Sequence, residues 1–185
     1  MKQLFTVHAG EYIVGSYIEQ HLKGYEVWVP SRDTGVDLLV TNRRSGAMVG
    51  LQVKFSKDFL VTNMSPAFHK DLLSCGWWTL HRDKIKNSKA DFWVFVLYGF
   101  DHRAIEYVIL KPKKLLSILT SIHGKEKIIQ SYLWVTKKKR CWETRGLKKS
   151  DQHLLAGNMY TNSQRELTEY LDDWKSVKKA LLRKS

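Results

Sequence analysis

Residues 35 to 54 read GVDLLVTNRRSGAMVGLQVK. Val36–Val40 is apolar and rich in β-forming residues, a turn-like stretch follows around Gly46, and Met48–Phe55 is apolar again. Two short apolar runs separated by turn residues predict a β-hairpin. We therefore expect two neighbouring strands here, and this hairpin organises the predicted fold.

Polar side chains stand at defined places on this hairpin. Because strand side chains alternate between faces, Gln52 and Lys54 point to one face while Val53 points to the other. Asp37 lies on the neighbouring strand, so an acid, an amide and an amine come together on an otherwise apolar sheet. Burying such groups is unfavourable unless they pair or bind a ligand. The three side chains therefore mark a candidate site.

The chain before the hairpin predicts a helix and a strand. Val7–Leu22 carries apolar residues at helical spacing, with Gly24 as its stop, and Tyr25–Val29 is a short β-rich run. Glu11 falls on the apolar stripe of that helix, where a carboxylate needs a partner. Two interpretations stay open for Glu11: a site residue, or an acid stabilised by the first helical turn.

The chain after the hairpin predicts further elements of both kinds. The predictions are a loop at Ser56–Ser65, a helix at Pro66–Cys75, strands at Asp91–Tyr98 and Ile105–Leu110, a helix from Pro112 to Ile122, a strand or helix at Ile128–Val135, and a last amphipathic helix from Ser163. The last helix starts at Ser163 because its spacing to Glu166 fits a capping box. The expected fold class is α/β with a mixed central sheet flanked by helices. We divide the chain into a core, residues 1–125, and a basic extension, residues 126–185, whose final helix packs on the core sheet or on a second copy.

Length and composition indicate a soluble globular protein. The 185 residues are 43% hydrophobic, enough to bury one full core. Cys75 and Cys141 form no Cys-x-x-Cys pair, and neither a secretory leader nor a membrane-spanning apolar run of roughly 20 residues is visible. We therefore expect a soluble protein of the cytoplasm. The seven histidines lack zinc-site spacing, which argues against a zinc enzyme.

The charge distribution indicates a polyanionic partner. The net charge is +13 and the isoelectric point is near 9.7. Residues 1–60 hold seven Lys and Arg against six Asp and Glu, which leaves 24 against 12 in residues 61–185. Nucleic acid is the first partner that this excess predicts, and an anionic membrane surface is the second.

Basic residues concentrate in one stretch of the extension, Lys137–Lys149, which we call the basic segment. Trp134 and Trp142 flank its first run, Lys137–Arg140. The predicted phosphate-contacting set there is Lys137, Lys138, Lys139, Arg140, Arg145, Lys148 and Lys149, with Glu143 as the opposing acid in the sequence. The segment has a net excess of positive charge rather than charges of alternating sign, and this favours phosphate contact over a merely solvated face. Arg43 and Arg44 at the hairpin tip, and Lys57 after the second strand, complete the predicted set.

Glu11 on the first helix, Gly35-Val-Asp37 on one strand and Gln52-Val-Lys54 on the next resemble the PD-(D/E)XK nuclease superfamily. That superfamily includes restriction enzymes, Holliday-junction resolvases and some homing endonucleases. The resemblance is best over residues 8–55. Two departures are visible: Val36 replaces the usual proline, and Gln52 stands where the superfamily usually has Glu or Asp.

The resemblance implies a restriction-endonuclease-like core and a Mg²⁺-dependent endonuclease acting on DNA, with Mn²⁺ as a substitute ion. It implies that Asp37, Gln52 and the Val53 carbonyl ligate the metal. Glu11 would hold a metal-bound water or a second ion, and Lys54 would position the attacking water. The residue chemistry agrees, because Mg²⁺ prefers oxygen ligands and phosphodiester hydrolysis needs charge neutralisation. One carboxylate fewer than usual predicts a weakly held metal.

Alternative interpretations remain open at this point. Asp37 and Lys54 could form a structural ion pair, with Gln52 satisfying a neighbour. A catalytically inactive nucleic-acid-binding module of the same fold, and a protein-interaction or membrane-surface module, are the rival functions. RNA stays open as a substrate. Because cutting both strands needs two active sites, we expect a homodimer or higher homo-oligomer.

Overall fold

A computed structural model describes residues 8–32, 34–56, 68, 70–99 and 103–183. Over those residues the chain forms five helices: α1 Ala9–His21, α2 Arg82–Lys86, α3 Pro112–His123, α4 Lys149–Ala156 and α5 Trp174–Arg183. Its strands there are β1 Tyr25–Trp28, β2 Leu38–Asn42, β3 Met48–Ser56, β4 Leu72–His81, β5 Phe92–Gly99, β6 Ala104–Leu110, β7 Ile128–Thr136 and β8 Cys141–Glu143. The predicted mixed α/β class is confirmed.

A five-stranded mixed sheet holds the predicted hairpin near its centre. Its strand order is β1-β2-β3-β5-β6. β1 pairs antiparallel with β2 and β2 antiparallel with β3, β5 lies parallel to β3, and β6 pairs antiparallel with β5. The β2–β3 turn closes at Gly46, whose φ of +69° suits glycine, and its amide donates to the Asn42 carbonyl at 2.8 Å. β3 therefore has a partner strand on each side.

A second sheet of three antiparallel strands has the order β4-β7-β8. β7 settles the open choice at Ile128–Val135 in favour of a strand. β4 comes from the first part of the chain and β7 and β8 from the last part, so residues on both sides of position 125 build this sheet. The C-terminal helix α5 packs on the five-stranded sheet, since Trp174, Val177 and Leu181 are buried with side chains of α1 and β3.

Strand alternation divides the core into two layers. Leu51 and Val53 of β3 face α1 and α5. On the opposite face, Trp93 and Phe95 of β5 pack against the three-stranded sheet and α3. The five-stranded sheet is thus covered by helices on one face and by a helix and a second sheet on the other. None of the described helices is long and apolar enough to cross a bilayer.

The prediction of a helix through Cys75 was wrong. Cys75 lies inside β4, and Gly76, taken as a helix stop, lies in the middle of the strand. A Cβ added at Gly76 would come within 2.2 Å of the Trp78 ring, so this glycine makes room for a neighbouring side chain. The start of the predicted helix, Pro66, and most of the predicted loop at Ser56–Ser65 lie outside the described residues. Cys75 and Cys141 are buried free thiols.

The predicted start of the last helix was also wrong. Ser163–Arg165 and Thr168–Tyr170 form single 3₁₀ turns, and α5 begins at Trp174. Glu166, expected to cap the helix, instead accepts hydrogen bonds from Arg140 at 3.1 Å. A tertiary ion pair therefore replaces the capping box.

Candidate active site

The β2–β3 register places Asp37 directly opposite Gln52. Leu38 pairs with Leu51, and the Asp37 amide donates to the Leu51 carbonyl at 2.8 Å. Asp37 Oδ2 accepts hydrogen bonds from Gln52 Nε2 and, at 2.7 Å, from the Val53 amide. The predicted juxtaposition of Asp37 with Gln52 is therefore present, and the backbone of β3 helps to fix the carboxylate.

Gly35 lets the chain enter β2 beside the site. Its φ is +81°, a conformation that L side chains rarely adopt. A Cβ at Gly35 would lie 4.0 Å from Gln52 Oε1. Glycine therefore serves the turn that brings Asp37 alongside β3.

The first turn of α1 delivers Glu11. Gly10 is buried, and a Cβ there would meet the Phe55 Cβ at 2.6 Å, so α1 begins in close contact with β3. Glu11 Oε2 accepts a hydrogen bond from the His8 amide at 3.2 Å, the backbone arm of a capping box. Glu11 therefore caps α1 and also lines the cleft with Asp37.

The pKa of Glu11 is raised above its ordinary value. Loss of water on burial is the main cause, and the nearby Asp37 carboxylate adds to it. The His8 amide and the positive charge of Lys54 act in the opposite direction. Glu11, Asp37 and Lys54 are therefore within electrostatic range of one another.

Lys54 extends over an aromatic ring of the next strand. Its Nζ lies 5.5 Å from the centroid of Trp93, a cation–π arrangement. Trp93 is 3% exposed, and its indole N–H donates to Ser88 Oγ at 2.9 Å. The orientation of Lys54 thus depends on β5 and on the loop that precedes it.

These side chains line one cleft of about 990 Å³. Glu11, Asp37, Gln52, Val53 and Lys54 contribute to it. Further lining residues, which the sequence did not predict as site residues, are Asp83, Lys84, Asn87, Ser88, Lys89 and Trp93. The charged run from His81 to Lys89 was the available signal, but its position beside β3 depends on the tertiary fold.

The cleft offers the oxygen donors that suit a hard cation. Glu11 and Asp37 are carboxylates and Gln52 has an amide oxygen. In a strand, the N–H and C=O of one residue point to the same edge, so the Val53 carbonyl lies on the side where its amide meets Asp37, beyond the last β2 pair at Leu38. The residues therefore fit a Mg²⁺ ion.

The Gln52 amide differs from the predicted ligand geometry in one respect. It presents Nε2 to Asp37, with Oε1 towards Gly35, whereas a shared ion requires the oxygen on the Asp37 side. Rotation of the amide about its terminal torsion exchanges the two atoms. Among the described residues, no three His, Cys, Asp or Glu side chains group as metal ligands.

The predicted phosphate-contacting residues fall into two groups. Lys139 pairs with the buried Glu106 at 2.7 Å, Arg140 with Glu166 at 3.1 Å, and Arg43 with Glu26 at 3.0 Å. Arg43 and Lys139 are exposed despite these ion pairs, and so are the members outside these three pairs: Arg44, Lys137, Lys138, Arg145, Lys148 and Lys149. Lys57 lies outside the described residues. Trp134 and Trp142, which flank Lys137–Arg140, are 3% and 1% exposed and belong to the core.

Comparisons of this chain with protein-family models, with curated proteins and with solved structures give no match. The functional assignment therefore depends on the geometry of the cleft.

Proposed function

We propose that this chain is a Mg²⁺-dependent endonuclease that hydrolyses DNA phosphodiester bonds, with a restriction-endonuclease-like core. One observation carries the proposal: Asp37 and Gln52 stand side by side on adjacent strands, and Lys54 and Glu11 line the same cleft. The arrangement of α1 followed by three antiparallel strands, with β5 lying parallel to β3 in the same sheet, supports the resemblance to PD-(D/E)XK nucleases.

The proposed metal ligands are Asp37, Gln52 and the Val53 carbonyl, with Glu11 beside them. When bound, Mg²⁺ neutralises charge that develops on the phosphate and makes water a better nucleophile. Lys54, held over Trp93, orients the attacking water and stabilises the phosphate oxygens. Glu11 accepts a hydrogen bond from water in the cleft once its carboxyl is ionised.

The part of the cleft formed by α2 and the loop after it has two lysines against one acid, Asp83, and so supplies positive charge for the substrate. Lys84 and Lys89 line it and are exposed, and Asn87 adds an amide. Lysine is suited to phosphate as a mobile point charge. We propose that these two lysines hold the phosphates that flank the scissile bond, while the exposed lysines of the basic segment contact more distant ones.

Cleavage assays on the full chain test this proposal. Supercoiled plasmid, synthetic junctions and RNA are each incubated with Mg²⁺, with Mn²⁺ and with EDTA. Asp37→Ala and Lys54→Ala are expected to lower the cleavage rate by about a hundredfold or more while DNA binding is kept. Glu19→Gln is the control, since Glu19 is an exposed acid on the outer side of α1.

The inactive binding module is the second candidate, and the Gln52–Asp37 hydrogen bond favours it. An amide that satisfies the carboxylate stabilises the fold without any ion. DNA binding without cleavage of any substrate by the native chain would establish this rival. Cleavage that is lost in Asp37→Ala and retained in Glu19→Gln would exclude it.

We also propose that the enzyme acts as a homodimer, because cleavage of a duplex needs two active sites. The apolar side of α5, one predicted interface, is buried within its own chain through Trp174, Val177 and Leu181. A dimer would therefore use another surface. Light scattering of the full chain with and without DNA measures the number of subunits.

A further inference from the structure

The three-stranded sheet has an outer face, turned away from the five-stranded sheet. At one end of this face, α4 covers Cys75 and Trp134. At the other end Trp77 is 41% exposed, and Thr79 and Gln130 beside it are exposed as well. A tryptophan is thus displayed on an open part of the sheet.

A second ring and a cation accompany Trp77 on this face. Trp77 is paired in register with Tyr132 of β7, and their ring centroids are 6.3 Å apart at an angle of 67°. The guanidinium of Arg145 lies 5.3 Å from the Tyr132 ring. Trp77 is exposed and Tyr132 is half-buried. Aromatic rings on the face of a β-sheet beside a basic side chain are a surface on which proteins stack unpaired bases.

The charge around the rings complements a polyanion. Exposed Lys148 and Lys149 follow Arg145, and exposed Lys125 and Lys127 precede β7, with Glu126 between them. Exposed basic residues therefore precede β7, the strand that carries Tyr132, and follow Arg145 in the chain. Together with the rings, this charge favours a nucleic acid strand over an apolar protein segment as the partner of this face.

The outer face adjoins the cleft through β4. β4 is the edge strand of its sheet, and the Trp77 amide donates to Ser56 Oγ at 3.0 Å. Ser56 ends β3 and lies two residues after Lys54. A nucleic acid strand bound on the outer face would therefore reach the cleft by crossing the edge of β4.

We propose that Trp77 and Tyr132 stack unpaired bases of the substrate and that Arg145 holds an adjacent phosphate. The substrate class is then nucleic acid with a single-stranded segment next to the scissile bond. Bases inside a duplex are stacked on their own neighbours and offer no free ring surface, so duplex does not use this site. The choice of substrate rests on the proposed nuclease function, whereas the stacking itself is a binding property.

Binding of labelled oligonucleotides to the full chain in EDTA tests the site without cleavage. Single-stranded DNA, single-stranded RNA and blunt duplex of one sequence are compared by fluorescence anisotropy. Trp77→Ala is expected to weaken single-strand binding about tenfold and to leave duplex binding within about twofold, because one stacked base is lost. Trp77→Phe keeps a ring and should remain close to the native affinity.

The matched control is Trp28→Ala, since Trp28 is 57% exposed but lies on β1 of the other sheet. The proposal is overturned if Trp77→Ala leaves single-strand binding unchanged, if it weakens duplex binding equally, or if Trp28→Ala has the same effect. A chain that binds single strands through Trp77 but cleaves nothing with Mg²⁺ overturns the proposed nuclease and leaves the stacking site standing. Unequal loss on the DNA and RNA strands identifies which of the two is bound.

Discussion

Glu11 both caps α1 and lines the cleft from the first turn of that helix. Its carboxylate accepts a hydrogen bond from the His8 amide and so satisfies a donor that the helix leaves unpaired. The same carboxylate lines the cleft, where burial and the neighbouring Asp37 raise its pKa. Ionising Glu11 in the folded chain is therefore less favourable than in the unfolded chain.

Replacing Glu11 by glutamine should stabilise the chain and impair cleavage. Because the pKa of Glu11 is higher in the folded chain than in the unfolded chain, ionising Glu11 destabilises the fold. This destabilisation is fully present at a pH above the folded pKa and is absent at a pH below the unfolded pKa. We expect Glu11→Gln to raise the midpoint of thermal unfolding at about pH 7, and this gain to vanish near pH 4. Glu19→Gln, on the exposed side of α1, should show no such pH-dependent gain.

The site residues differ in how far they could be predicted. Asp37, Gln52 and Lys54 follow from strand alternation on a short hairpin, which is local information. Trp93 and Ser88, which orient Lys54, come from a parallel neighbour strand and its preceding loop. Their position depends on the crossover between β3 and β5, and sequence periodicity does not contain that pairing.

The contact between α1 and β3 sets the position of Glu11. Gly10 allows it, since a Cβ would come within 2.6 Å of the Phe55 Cβ. Gly10→Ala should push α1 off the strand, cost about 1–3 kcal/mol of unfolding free energy and lower cleavage. Urea unfolding and plasmid cleavage measure both effects.

Gly15→Ala in the same helix is the matched control. A Cβ there would lie 3.7 Å from Val27 Cγ1, an ordinary contact. Because alanine favours helix over glycine, we expect this variant to be unchanged or more stable by up to about 1 kcal/mol. Equal losses in the two variants would contradict the close-approach explanation.

Elements that carry their own periodicity could be predicted, and those set by distant partners could not. The hairpin and the helix at Pro112 follow from alternation and from a proline at the helix start. β4 was missed because Gly76 looked like a helix stop, whereas the glycine accommodates the Trp78 ring. The start of α5 was missed because Glu166 forms an ion pair with Arg140 and does not cap a helix at Ser163.

An ion pair joins the two sheets of the molecule. Lys139, in the β7–β8 turn, contacts both carboxylate oxygens of Glu106 on β6, at 2.7 and 2.8 Å. Glu106 is 1% exposed, and burial raises its pKa while Lys139 opposes that rise. Lys139 is thus a structural partner of Glu106.

Lys139→Met should therefore destabilise the chain. With Lys139 partly exposed to water, we expect a loss of about 1–3 kcal/mol near pH 7. The loss should shrink near pH 4, because a protonated Glu106 needs no counter-charge. Lys138→Met, which changes an exposed neighbour, should stay within about 0.5 kcal/mol at either pH in urea unfolding.

The salt dependence of DNA binding tests the phosphate contacts that we propose for the exposed lysines of the basic segment. Lys137→Ala and Lys138→Ala should each reduce the slope of log K against log salt for DNA binding by about one. Lys148→Ala and Lys149→Ala should each reduce this slope by about one for single-stranded nucleic acid that binds to the outer face. An unchanged slope in all four would mean that the basic segment is only a solvated surface.

The parallel pairing of β3 with β5 has a consequence for how the chain acquires its shape. β2 and β3 meet through a short turn, whereas Gln52 and its β5 neighbour Trp93 are brought together across a long crossover. Closing the longer loop costs more entropy, so the hairpin should form earlier during refolding. A chain still being synthesised would then carry Asp37 and Gln52 already aligned before the residues that enclose them have left the ribosome.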